Sequence, residues 1–126
     1  MEFTLKTTFN ATPKEVYDAW MNSESHTEMT GGDANIQDEV GTQFSAWDDY
    51  ITGQNLELVA NQKIVQSWRT TEFEESDEDS KIEILLKEAN GETNLTLIHT
   101  NLSLDGERYK NGWIEHYFEP MKAYFS

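Results

Sequence analysis

Few side chains in this 126-residue chain have the chemistry of a reactive centre, and its three histidines are the groups that titrate nearest neutrality. His99 stands in an alternating stretch with Leu95 and Leu97, so strand parity carries it inward with them. The same rule turns Gln66 inward with Ile64 and Trp68, and Glu57 and Glu83 outward. General acid–base work would therefore fall to His99, with Tyr117 or another phenol as helper. The alternative is a histidine hydrogen-bonded inside the core. A single bulge would overturn the parity. His26 falls in a polar connection and His116 on the polar side of a helix. They do not form a metal-binding pair, and neither HExxH, a glycine-rich phosphate loop nor a GxSxG elbow is present, so no metal, no cofactor and no catalytic residue is expected.

The elements that would position these groups follow from periodicity. Phe3, Leu5, Thr7 and Phe9 share one face of a first strand. Thr12-Pro13-Lys14-Glu15 is a capping box with proline at the first helical position, so a helix starts there and buries Val16, Tyr17, Ala19 and Trp20. Asn22 to Ser25 ends or breaks it before a polar connection through Met29. Short strands are expected over Ala34–Gln37 and Thr42–Trp47, then over Tyr50–Val59 with Leu56 and Leu58 on one face, and around Ile64–Trp68. Glu72 to Asp79 carries too many like charges for a strand and reads as a solvated loop. Two hairpin strands joined at Asn90-Gly91 follow, and from Gly106 the period becomes helical. On that last helix Tyr109, Trp113, Tyr117, Met121 and Tyr124 form a stripe flanked by Ile114, Phe118 and Phe125, an arc wide enough to lie across a curved sheet. Pro120 predicts a kink or an early end.

Composition narrows the functional classes. Nine basic against 24 acidic residues give a net charge of −15, which repels phosphate backbones and anionic headgroups; no nucleic-acid partner is expected. No run is apolar enough to span a bilayer, and no basic n-region precedes an apolar core, so neither membrane insertion nor a signal peptide is expected. The chain has no cysteine, which excludes disulfides and thiolate chemistry. A single domain over residues 1–126, cytoplasmic, and monomeric or weakly dimeric, is the expectation.

The segments FTLKTTFNATPKEVYDAWMNSE, MTGGDANIQDEVGTQFSAWDDYITGQNLEL, NQKIVQSWR, TNLTLIHTNL and GWIEHYFEPMKAYF, in that order, resemble one family. It is the C-terminal-domain-like group of activators of the ninety-kilodalton heat-shock-protein ATPase, within the START or helix-grip superfamily. The resemblance covers nearly the whole chain. It implies an α+β fold in which a curved antiparallel sheet of about six or seven strands wraps a long C-terminal helix, with two short helices after the first strand. It also implies a cavity between sheet and helix. In that family a glycine commonly precedes the aromatic residue of the ITG strand, whereas Asp49 precedes Tyr50 here. The co-chaperones that name the family carry a separate N-terminal domain, for which this chain has no room.

Three functions are carried forward. In the first, a small apolar or amphipathic ligand sits between sheet and helix, lined by Trp20, Phe44, Trp47, Leu56, Leu58, Gln66, Trp68, Ile84, Leu97, His99, Trp113, Tyr117 and Met121. In the second, the chain is a protein-interaction module resembling a chaperone cofactor and acting through its acidic surface. The third is a cyclase- or hydratase-like enzyme using His99.

Overall fold

A computed structural model describes residues 1–126 as a six-stranded antiparallel sheet, curved around a segmented C-terminal helix. The strands are β1 (Phe3–Phe9), β2 (Gln43–Ala46), β3 (Ile51–Val59), β4 (Lys63–Thr70), β5 (Ser80–Ala89) and β6 (Glu92–Thr100). Their spatial order is β1-β6-β5-β4-β3-β2. Apart from β1, which closes onto β6, each strand pairs with its sequence neighbour, the meander that short turns dictate.

Two short helices separate β1 from β2. In α1 (Pro13–Trp20) the capping box forms as its sequence predicts: the Glu15 N–H donates to Thr12 Oγ1 at 3.2 Å and the Thr12 N–H to Glu15 Oε1 at 3.0 Å. The polar connection expected next is instead a helix, α2 (Ser23–Thr30). The Asn22 side chain accepts from the Ser25 N–H at 2.9 Å, and Gly31 closes the helix at φ 89°. The expected strand over Ala34–Gln37 reduces to one bridge, Asn35 with Ser45.

Register sets the inner face. Phe3, His99, Ile82, Gln66 and Asn55 lie in one row across five strands, and Leu5, Leu97, Ile84, Ile64 and Leu58 in the next. A bulge between Asn55 and Glu57 interrupts β3. It turns Leu56 outward, where it is 44% exposed, and brings Asn55 inward. Leu56 is thus removed from the inner face on which parity had placed it, while Leu58 remains partly buried against the core.

The C-terminal helix consists of α3 (Arg108–Trp113), a π-helical turn over Ile114–Phe118, and α4 (Glu119–Tyr124). Pro120 neither ends nor breaks it. The wider turn lies immediately before that proline, with the Glu119 N–H bonded to Ile114 O rather than to a carbonyl four residues back. It also serves the packing. Tyr109, Trp113, Tyr117 and Met121 are all buried at a spacing of four, which in a regular α-helix drifts by about 40° at every step. The wide turn absorbs part of that drift. Ile114 and Tyr124, outside the corrected stripe, are exposed.

Candidate functional site

The inward histidine is held at both nitrogens. An indole N–H can only donate, so the 3.0 Å contact from Trp113 Nε1 makes His99 Nδ1 the acceptor. His99 Nε2 then carries the proton and donates to Ser80 Oγ at 2.9 Å, while Ser80 passes its own hydrogen to Trp68 O at 2.6 Å. Burial among Phe3, Trp68 and Trp113 lowers the pKa of this ring to about 3, which keeps it neutral. A ring with no free lone pair and no access to water is positioned to clamp the helix to β5 and β6. It offers nothing to a substrate as a general base.

A second histidine, read from sequence as part of a polar connection, completes the same interior. His26 is buried on α2. Its Nδ1 donates to Trp20 O at 2.9 Å, and its Nε2 accepts from the Tyr117 hydroxyl at 3.0 Å. Burial lowers its pKa to about 4, opposed by the bond to the Trp20 carbonyl, and burial likewise raises the Tyr117 phenol. The expected helper of His99 is therefore committed to His26. Around them Trp20 packs on Tyr117 at 5.0 Å and on Trp113 at 6.2 Å between ring centroids.

Gln66 has a comparable structural task. Its Nε2 donates to Asn55 Oδ1 at 2.9 Å, and Asn55 Nδ2 donates to Gln37 O at 2.7 Å and Glu39 O at 3.2 Å, which pins the loop before β2 to the sheet. Leu97, Ile84 and Met121 are closed within one continuous apolar core that also includes Trp20 and Phe44. At Leu97, Ile84 and Met121 the space between sheet and helix is filled by the protein's own side chains.

A cleft of about 580 Å³ opens at the α3 end of the helix–sheet seam. Of the residues expected to line a ligand space, Trp47, Trp68, Trp113 and Tyr117 border it, while Trp20, Phe44, Leu56, Leu58, Gln66, Ile84, Leu97, His99 and Met121 do not. The sequence reading missed Tyr50, Ile51, Glu72, Arg108, Tyr109, Asn111, Gly112, Glu115 and His116, which complete its walls and rim. Tyr109 is tied to the sheet through its hydroxyl, 2.8 Å from Thr70 Oγ1. Tyr50 donates to Glu72 Oε2, and burial followed by that bond pushes its pKa up to about 12. Glu72 also accepts from Arg108 Nη1 at 3.3 Å. Exposed His116 meets Trp47 edge-on at 5.6 Å.

Trp47 reaches the cleft through an unusual turn. Trp47, Asp48 and Asp49 all have positive φ, at 53°, 57° and 69°, three consecutive left-handed residues without a glycine. Asp49 occupies the position where the resembling family commonly has glycine, and its φ shows why glycine suits that place. Gly32 lies beneath the turn. A Cβ on it would come within 2.5 Å of the Trp47 ring.

No three histidine or carboxylate side chains converge as a metal site. No helix is long and apolar enough to cross a membrane.

The sheet, its grip on the C-terminal helix and the two short helices after β1 define a helix-grip protein of the START superfamily. Within that class the chain belongs to the family described as Activator of Hsp90 ATPase homolog 1-like protein, which matches residues 10–126. It is 30% identical over 125 residues to the human Activator of 90 kDa heat shock protein ATPase homolog 1, covering 98% of this chain and 37% of the human protein. It is 28% identical over 123 residues to the Dictyostelium discoideum activator homolog, covering 97% of this chain and 32% of that protein. The chain therefore spans about a third of the curated relatives it matches. In structure it is similar to an HSP90 activator from Plasmodium falciparum, with a TM-score of 0.90 at 24% identity over 98% of this chain and 95% of that one.

Proposed function

We propose that this protein is an interaction module that binds a ninety-kilodalton heat-shock chaperone and stimulates its ATPase. The observation that carries the reading is the 30% identity to the human activator, sustained over 125 residues. The interior is in accord with it, because His99 spends both nitrogens on Ser80 and Trp113, and His26 spends its own on the Trp20 carbonyl and the Tyr117 hydroxyl. Binding by the exterior thus moves ahead of the small apolar ligand enclosed between sheet and helix. With a net charge of −15, the exterior favours a basic partner surface and fast, salt-sensitive encounter.

The test is ATP turnover by the purified chaperone as this protein is titrated in. A saturable rise that weakens as salt is added is the expected result. Unchanged turnover, together with no heat of binding by calorimetry, overturns the proposal.

A further inference from the structure

The cleft beside α3 has a floor that the chain keeps clear at a cost. Gly112 stands inside a helix, where glycine is about 1 kcal/mol less favourable than alanine. Its backbone is not left-handed, and a Cβ added to it would meet nothing within 4 Å. Neither φ nor a close neighbour calls for glycine. What its missing side chain leaves is open space between the aromatic walls.

The chemistry of those walls selects one kind of guest. Half-buried Trp47 and Tyr50 present aromatic surface above the buried Trp113, and the rim carries the carboxylates of Glu72 and Glu115. Glu115 enters none of the ion pairs of the fold. The rim already holds one cation of its own: the Arg108 guanidinium lies 5.0 Å from the Tyr109 ring centroid and bonds to Glu72. An aromatic face beside a carboxylate is what a lysine or arginine side chain needs, with the methylene stem on the rings and the charged head at the acid. We propose that the cleft receives a single Lys or Arg side chain from an extended segment of a partner protein, resting on the interaction-module reading above for the partner's identity.

The probe is a peptide of alternating Lys and Leu, followed by the indole N–H resonances of the four tryptophans. The expected result is saturable shifts at Trp47 with a Kd below about 1 mM, weakened at least about tenfold by Gly112→Phe at an undiminished melting temperature. Arg108→Gln, which frees Glu72, should tighten binding although it alters net charge by only one unit. An equal response to a Glu-Leu peptide or to tetramethylammonium, no saturation, or no effect of Gly112→Phe overturns the proposal. Two outcomes separate it from the reading it rests on. If the unaltered protein stimulates the chaperone but gives no saturable response to the peptide, the cleft proposal falls and the interaction module stands. If the unaltered protein takes the peptide in the cleft but leaves the chaperone unaffected, the cleft stands and the chaperone reading falls.

Discussion

The C-terminal helix has two contrasting neighbourhoods. Toward α4 it is sealed: Met121 is fully buried, Tyr117 is bonded to His26, and Phe118 packs on Phe9 with ring centroids 6.4 Å apart. Toward α3 it stands over an open cleft with Gly112 at the floor and charged groups at the rim. Both regions are rich in aromatic and titratable residues, so composition does not tell them apart. What differs is whether the titratable groups have capacity left. In the sealed part both nitrogens of each histidine are taken, and such groups define structure. Around the cleft Glu115 and His116 face solvent, and there a partner can still be engaged.

The contrast can be broken most severely with acid. His26 and His99 take up a proton at about 4 and about 3 in the fold, against an ordinary value of 6.5. Between those limits the unfolded chain binds more protons, so the stability that the neutral rings contribute is complete above pH 6.5. It is lost as pH falls through the window, by up to about 1.4 kcal/mol per pH unit for each ring. Urea midpoints measured from pH 7 to pH 4 should fall steeply, and less steeply in His99→Gln; a flat profile would mean that the interior is wet. Next in size, Met121→Ala should cost about 3 kcal/mol by chemical denaturation, as for a large side chain removed from a close-packed site. A loss under about 1 kcal/mol would show that the sealed region is looser than its burial implies. Smallest and opposite in sign, Gly112→Ala should raise stability by about 1 kcal/mol, since it adds a helix-favouring residue where nothing is in the way. If it destabilises instead, the cleft floor is not open.

This contrast also separates what was legible in the sequence from what was not. β1, β5 and β6 alternate because each has one face in the core, β4 departs from alternation only at buried Val65, and parity correctly carried His99 and Gln66 inward. In β3 the same parity failed at one residue: the bulge before Glu57 exchanged Leu56 for Asn55, and no local signal marks it. His26 was misplaced for a different reason. The polar run SESHTEMT has a weak apolar face, yet Asn22 was available as an N-cap, and a helix begun there sets His26 beside Met29 and Thr30 on the buried side. The cleft was legible only through Trp47, Trp68, Trp113 and Tyr117, which were expected at a ligand space. Its volume depends on a left-handed turn at Trp47–Asp49 and on an absent side chain at position 112, and neither leaves a periodic trace.

The wide turn at Ile114–Phe118 makes the tail sensitive to counting rather than to chemistry. Inserting one more residue between Trp113 and Pro120 would rotate everything downstream by roughly 100° and swing Met121 out of the core, whereas losing one would turn the Glu119–Ile114 bond into an ordinary four-residue one. Exchanges of one apolar type for another in this segment should be tolerated far better than an insertion.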